Sequence, residues 1–329
     1  MPLHQIYEVG ASNLGHIVLY TVLNETPGLL CDRSYLPALD MQARSAKDKR
    51  STKSVYPADS VAPCRPSVQL APDKVWSQAF PMLQALLLRH GQRLFAVESK
   101  RPLADFDVIG LSLAYELSAT NMLQMIHLAS LPLSRKERLE ADGEQPWDVG
   151  AGSLPLVFSG GPTATSNPEP FSDFCDFFAL GDGEDCLPEI GACLQAAKAA
   201  GCSRRETLLR LATSVRGVYV PMFYEPPDGW GGAVFPTVPG VPERVVRRTA
   251  MPDPSKQVGL VPFLSTVHDR LTIEIRRGCT RGCRFCQPGM LTRPARDVDP
   301  EAVVAAVEEA RCTHGWEREC CATQAKNLF

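Results

Sequence analysis

The chain has 329 residues, of which 44% are hydrophobic, so it is long enough for about two domains with a sizeable buried core. Its formal net charge of −3 excludes a bulk electrostatic attraction to nucleic acid or to anionic membranes, and no apolar run reaches the roughly 18 residues of a membrane helix. Twelve cysteines in a chain of this length without a signal peptide favour reduced thiols over a secreted disulfide scaffold. We expect a soluble intracellular protein, cytoplasmic by default; a plastid location requires a targeting segment that this start does not show.

The amino-terminal region begins with a predicted helix. Ser12 or Asn13 is a suitable cap for a helix of about three turns, and a strand is predicted over residues 29–37. Residues 41–74 are polar, basic at first and proline-rich afterwards, without a hydrophobic period. This composition predicts a disordered insertion, and a basic arm that binds a partner is the alternative.

Helices and strands alternate from residue 75 onward. The predicted strands cover residues 94–97, 107–113, 154–159 and 177–180, and the predicted helices cover residues 75–90, 121–131, 187–199 and 204–212. This alternation predicts an α/β domain, a doubly wound parallel sheet of the Rossmann type, with ligands at the carboxyl ends of its strands. No loop there has the G-x-G-x-x-G pattern, which disfavours a nicotinamide enzyme.

A cysteine loop follows a proline-rich, extended linker at residues 216–265. Cys279, Cys283 and Cys286 are spaced C-x3-C-x2-C after a predicted strand at residues 271–275, and Gly278 and Gly282 allow the backbone to curl. Closed zinc sites and electron-transfer clusters use four protein ligands. Three thiols on one loop instead indicate an iron-sulfur cluster with one open iron.

The cysteine loop resembles the signature loop of radical S-adenosylmethionine (radical SAM) enzymes, in its spacing, in the aromatic Phe285 before the last cysteine and in the strand that leads into it. The resemblance implies that the three cysteines hold a 4Fe-4S cluster and that Phe285 lines the adenine site of S-adenosylmethionine. It also implies an electron donor for the cluster, cleavage of S-adenosylmethionine to a 5′-deoxyadenosyl radical, and a substrate that the sequence does not identify.

A second resemblance involves the amino-terminal half. Residues 7–15, 95–99, 160–162 and 181–184 are similar to radical SAM proteins with a cobalamin-binding-like domain, which implies such a domain over residues 1–215. Neither His4 nor His16 has the D-x-H-x-x-G surroundings of a cobalt ligand. Two alternatives stay open: cobalamin bound without a histidine, near Ser112, Gly160 and Gly161, or a domain that keeps only the fold.

The carboxyl-terminal region resembles only the start of a radical SAM core, at residues 266–311. A helix beginning at Asp299 or Pro300 completes one β/α unit, the first of about six in an otherwise incomplete radical SAM barrel. Residues 312–329 do not match the family. We therefore expect little or no turnover from the polypeptide as written, since one unit cannot shield a radical from water.

Alternatives for the remaining cysteines and for the nearby arginines stay open. A zinc or redox-thiol module would recruit further ligands from the tail, namely Cys312, His314, Cys320 and Cys321. Isolated cysteines in apolar surroundings are predicted to be core residues, namely Cys175, Cys186 and Cys193. Four arginines near the loop either hold anionic groups or are simply exposed to solvent, namely Arg276, Arg277, Arg281 and Arg284.

Overall fold

The computed structural model describes residues 2–3, 11, 13–36, 93–226, 233–259 and 271–314. The predicted insertion at 41–74, the predicted helix at 75–90 and the tail cysteines at 320 and 321 lie outside these residues. The strands are β1 (Pro2–Leu3), β2 (Ser34–Tyr35), β3 (Val108–Ser112), β4 (Leu156–Gly160), β5 (Phe177–Ala179), β6 (Val218–Tyr219), β7 (Tyr224–Glu225), β8 (Phe235–Pro236), β9 (Arg276–Arg277) and β10 (Arg296–Asp297). The α-helices are α1 (Leu14–Glu25), α2 (Ala119–Leu128), α3 (Arg135–Asp142), α4 (Pro162–Ser166), α5 (Gly183–Ala199), α6 (Arg204–Ser214), α7 (Pro288–Leu291) and α8 (Pro300–His314).

The main sheet has four strands in the order β3-β4-β5-β6. The first three are parallel and β6 is antiparallel to β5. The α/β class and the three parallel strands are confirmed, but the sheet is mixed rather than wholly parallel. Gly217, at φ 91°, turns the chain just before β6, and its carbonyl accepts a hydrogen bond from the amide of Leu180 at 2.8 Å. The returning chain therefore pairs with β5 in the opposite direction.

The parallel strands are buried along nearly their whole length. Leu111 on β3, Val157 on β4 and Phe177 on β5 have no exposed surface. The rings of Phe158 and Phe177 stack across the two strands with centroids 4.9 Å apart. Near-continuous apolar sequence of this kind is typical of parallel strands that are covered on both faces, which is why these strands were predictable.

The predicted helices that fall within the described residues form, with small shifts at their ends. The side chain of Asn13 accepts a hydrogen bond from the amide of His16 at the start of α1, as expected of a cap. Ser203 and Glu206 form a capping box at the start of α6. Helix α5 begins at Gly183, about one turn earlier than predicted, and α8 begins at the predicted Pro300.

Two predicted strands in the amino-terminal half are wrong or much shorter. The strand predicted over residues 29–37 is reduced to β2, and residues 94–97 contribute only an isolated bridge between Phe95 and Pro102. The chain reverses at this point, because the amide of Ala96 donates to the carbonyl of Arg101 at 2.9 Å. A tight turn replaces the extended conformation that the apolar alternation indicated.

The strand predicted over residues 271–275 does not form either. A short strand instead follows it, β9, which pairs antiparallel with β10. The amide of Glu274 donates to the side chain of Gln257, and the carbonyl of Ile275 accepts from the amide of Val298 at 3.0 Å. The backbone groups are thus satisfied by a linker side chain and by the segment after the cysteines, and no parallel neighbour is present among the described strands to make a ladder.

A buried ion-pair network ties together the amino ends of β4 and β5. Asp176 pairs with Arg204 at 2.8 Å and with Arg138 at 3.3 Å, and both guanidinium side chains have no exposed surface. One oxygen of Asp176 also accepts from the amide of Val157 at 2.7 Å, and Arg204 pairs with Asp142 at 2.7 Å. The network lies at the opposite end of the sheet from the loops that the sequence identifies as ligand-binding.

The proline-rich linker packs against the first and the last of the described helices. Its 3-10 turn at Pro254–Gln257 contacts α1 and α8, and Lys256 forms an ion pair with Glu25 on α1. In the described residues, none of the helices has the length and apolar character needed to traverse a lipid bilayer.

Candidate metal centre

The carboxyl ends of the three parallel strands lie side by side. Ser112 on β3 pairs with Gly160 on β4, and Gly160 pairs with Ala179 on β5. The loops after these strands therefore meet at one edge of the sheet, as the parallel arrangement predicts. We refer to the ends of these three strands, at Ser112, Gly160 and Ala179, together with the loops that follow them, as the carboxyl edge.

Gly160 and Gly161 are needed for close backbone packing at the carboxyl edge. A Cβ atom on Gly161 would lie 2.8 Å from the carbonyl oxygen of Leu113, and a Cβ on Gly160 would lie 3.1 Å from the carbonyl oxygen of Ala179. The amide of Leu113 donates to the carbonyl of Gly160 at 2.8 Å. Contact between backbones thus accounts for both glycines, and their suggested role beside cobalamin, with Ser112, stays a prediction.

Replacing Gly161 by Ala is expected to lower the free energy of unfolding by roughly 1–3 kcal/mol, because φ 99° with an extended ψ is a region that essentially only glycine adopts. Gly152 provides the matched control, since its φ is 105° but a Cβ there would meet nothing within 4 Å. Urea unfolding of both variants measures the difference. Equal losses in the two variants would contradict the contact with Leu113.

Glycines and local hydrogen bonds shape the cysteine loop. Gly278 and Gly282 have φ of 85° and 70°, and the amide of Cys286 donates to the carbonyl of Cys283 at 3.1 Å. The amides of Arg281 and Gly289 point at the sulfurs of Cys279 and Cys286, each at 3.4 Å. The two outer cysteines are half-buried, Cys283 is exposed, and all three thiols are free.

The cysteine loop docks on the carboxyl edge. The side chain of Gln287, which directly follows Cys286, donates to the hydroxyl of Ser166 at the end of α4, at 3.2 Å, and α7 packs beside α4. Arg277 forms ion pairs with Asp182 at 3.3 Å and Glu184 at 2.6 Å, both just after β5. The structure thus brings the cysteines to the loops where the sequence predicts ligands.

Comparison with known protein families supports the family resemblance that the cysteine loop indicates. Residues 68–221 match the family model described as radical SAM proteins, N-terminal. The match covers just under half of the chain and supports a radical SAM protein. It begins inside the predicted insertion and ends at Pro221, well before the first cysteine of the loop. Neither the curated proteins nor the solved structures gave a match.

The donor set of the loop fits the cluster that radical SAM proteins hold in general. Thiolates are the usual protein ligands of iron-sulfur clusters, and hydrogen bonds to their sulfurs are among the features that tune such clusters. The loop supplies three thiols and directs two backbone amides at them. In the part of the chain that the structure describes, no three His, Cys, Asp or Glu side chains are grouped closely enough to hold one metal ion. The assignment of Cys279, Cys283 and Cys286 as ligands therefore remains a prediction from their chemistry.

The four arginines near the cysteine loop divide into two pairs. Arg277 is only 14% exposed and is surrounded by the carboxylates of Asp182, Glu184 and Glu274, so the suggestion that it holds an anionic ligand is wrong. Burial lowers the pKa of Arg277, but the hydrogen bonds that Arg277 donates to Glu274 and the charge of Glu184 outweigh burial and raise that pKa. Arg276 pairs with Asp297 at the surface.

Arg281 and Arg284 are exposed on the loop itself. Neither side chain forms an ion pair with any described residue, which leaves both guanidinium groups accessible to an anion. Phe285, between Arg284 and the last cysteine, is 85% exposed. An aromatic ring this exposed is unusual for a residue that serves packing.

All three isolated cysteines are predicted to be core residues, and the structure buries two of them fully. Cys175 and Cys186 are buried, and burial raises the pKa of both thiols, that of Cys186 to about 11. They are therefore protonated and unreactive at neutral pH. Cys193 is partly buried against the same core. Of the alternative zinc ligands, Cys312 is exposed on α8, and Cys320 and Cys321 lie beyond the described residues.

One well-formed cavity of the described residues lies away from the carboxyl edge. It has a volume of about 350 Å³ and lies between the loop after α1, one face of β3 and the inner face of α5. Its walls include Leu29, Ile109 and Leu194, and no residue of the cysteine loop lines it. Lys198 at its rim is already paired, since it binds both Asp107 and Asp148 at 2.9 Å. None of the predicted site residues lines this cavity.

No sequence motif identifies the residues that join the cysteine segment, residues 277–296, to the loops at the carboxyl edge. Asp182 and Glu184 belong to a motif that carried the family resemblance, but the motif indicated no ion-pair role for them. Arg296, which is 8% exposed, also binds Asp182, and Glu274 binds Arg277 at 2.7 Å. No local pattern marks the partners of Asp182, because Arg277 and Arg296 lie about a hundred residues further along the sequence.

Proposed function

We propose that the protein is a radical SAM enzyme that holds a 4Fe-4S cluster on Cys279, Cys283 and Cys286 and binds S-adenosylmethionine at the remaining iron. The observation that carries this proposal is the three-thiol loop at the carboxyl edge. The loop lies outside residues 68–221, so it and the family match are separate indications of the same chemistry.

The chain's own groups have defined roles in this proposal. A bound and reduced cluster supplies the electron that cleaves S-adenosylmethionine to a 5′-deoxyadenosyl radical. Phe285 offers an open ring face on which the adenine can stack. Arg281 and Arg284 provide positive charge beside the loop for an anionic group of the substrate, while the amides of Arg281 and Gly289 stabilise negative charge on two thiolates.

The amino-terminal sheet serves as the platform for the loop. We propose that it keeps the cobalamin-binding-like architecture that the sequence resembles. Backbone packing gives Gly160 and Gly161 a role that needs no cobalamin, so a domain that keeps only this fold is favoured. The substrate is left undefined, because related scaffolds support several reactions.

Anaerobic reconstitution with iron and sulfide tests the proposal. We expect about four irons per chain and a broad visible absorption that bleaches on reduction with dithionite. Formation of 5′-deoxyadenosine after addition of S-adenosylmethionine would establish the enzymatic step in this chain and would overturn the expectation of little or no turnover. Protein that takes up zinc but no iron, or no metal at all, would overturn the cluster. A loaded cluster without any 5′-deoxyadenosine would overturn the enzymatic activity of this chain while supporting the ligands.

A further inference from the structure

The carboxylate of Asp182, between β5 and α5, binds an arginine at each end of the cysteine segment. Asp182 occupies the cap position of α5, where a carboxylate usually accepts hydrogen bonds from the first amides of its helix, but its side chain makes no such bond. Its oxygens instead bind Arg277 at 3.3 Å and Arg296, and they accept from the amide of Ala250 at 2.9 Å.

The two arginines bound to Asp182 flank the three cysteines. Arg277 lies just before Gly278 and Cys279, and Arg296 lies a few residues after α7. Arg296 also donates to the carbonyl oxygens of Thr292 and Pro294, at 3.1 Å each. These two carbonyl oxygens closely approach Gly278, where a Cβ atom would lie 2.5 Å from either. The two ends of the cysteine segment, before Cys279 and after α7, therefore pack against each other next to Asp182.

These ion pairs are shielded from water, unlike the neighbouring surface pair. The side chains of Asp182 and Arg296 are 15% and 8% exposed, whereas those of Arg276 and Asp297 are 51% and 65% exposed. Exposed pairs contribute little because solvent and salt screen them, and partly buried pairs are screened much less. Asp182 is thus positioned to restrain the segment, and the pair between Arg276 and Asp297 is not.

We infer that Asp182 is a positioning residue for the metal centre, because through Arg277 and Arg296 it holds the cysteine loop in a closed form before any cluster binds. This inference rests on the proposed function. A loop that is ordered beforehand loses less conformational entropy when its three thiols take up their ligand positions. Asp182 touches no reacting atom and acts only through the two arginines.

Hydrogen exchange in metal-free protein tests this inference without relying on activity. Asp182→Asn removes the charge and places an amide group against two guanidinium groups. We expect the amides of residues 278–291 to exchange at least about tenfold faster in this variant, because opening the segment then breaks only the ion pair between Arg277 and Glu184 and no longer those with Asp182. Cluster uptake at limiting iron is expected to fall in parallel.

Glu189→Gln is the matched control, because Glu189 lies on the same helix and pairs with Arg248 of the linker at 2.7 Å. Exchange over residues 278–291 should stay at the wild-type rate in that variant. Unchanged exchange in Asp182→Asn would overturn the inference. If Asp182→Asn unfolds the protein, Arg296→Gln is used in its place, because Arg296 lies on β10, outside the four-stranded sheet and the helix that begins after Asp182. Unchanged exchange in Arg296→Gln would also overturn the inference. Wild-type protein that binds no iron would overturn the proposed function but not the exchange result.

Discussion

Replacing Asp176 by Ala is expected to lower the free energy of unfolding by about 3–5 kcal/mol, the loss typical when one member of a buried ion pair is removed. The guanidinium groups of Arg138 and Arg204 would remain buried without this carboxylate, and the amide of Val157 would lose its acceptor. Urea unfolding followed by far-ultraviolet circular dichroism measures the change. The effect is large because the pairs have almost no contact with water.

Asp173→Ala is the control for the loss at Asp176. Asp173 lies three residues earlier and is exposed, so its replacement should change the free energy of unfolding by less than about 0.5 kcal/mol. Asp176→Asn should fall between the two, since the amide oxygen can still accept one hydrogen bond but carries no charge. A loss below about 1 kcal/mol in Asp176→Ala would show that water reaches the network.

Replacing Cys279, Cys283 and Cys286 together by Ala is expected to reduce bound iron from about four atoms per chain to background, because thiolates are the protein ligands of such clusters. Cys283 is exposed and the two outer cysteines are only half-buried, so we expect the sheet to remain folded and the circular dichroism spectrum to match the wild type. Iron and sulfide content after anaerobic reconstitution measures the effect.

Cys312→Ser is the matched control for the three cysteines of the loop. Cys312 is also free and exposed, but it lies on α8 away from the loop, so its replacement should leave iron content unchanged. Loss of metal from Cys312→Ser would instead favour a four-ligand zinc site completed from the tail. Iron that persists in the triple variant would exclude the loop as the cluster site.

The fold was predictable where local pattern and tertiary environment agree. The strands around Ile109, Val157 and Phe177 are buried along their length, so their sequences are continuously apolar. Caps such as Asn13 and Ser203 mark helix starts because they use short-range hydrogen bonds. The strand predicted at residues 271–275 failed for the opposite reason: a strand needs a neighbour, and apolar alternation does not supply one.

The candidate site was predictable in its chemistry but not in its supports. The three thiols and Phe285 lie within eight residues, and their spacing, the glycines beside them and the resemblance to radical SAM enzymes predict a cluster. The ion pairs from Asp182 to Arg277 and Arg296 connect distant parts of the chain, and no spacing rule marks them. Arg277 was predicted to be solvent-exposed or to bind an anion, but carboxylates enclose it. The prediction missed this because Asp182 and Glu184 are distant from Arg277 in the sequence.

The sequence by itself determined the α/β class, the parallel strands, the helix caps and the thiol set of the loop, because each depends on residues close together in the chain. Only the tertiary structure decided that the loop docks on the carboxyl edge, that β6 runs antiparallel, and that Asp182 binds both flanking arginines. These features depend on contacts between residues far apart in sequence, and such contacts are selected by packing and by the desolvation of charged groups rather than by local pattern.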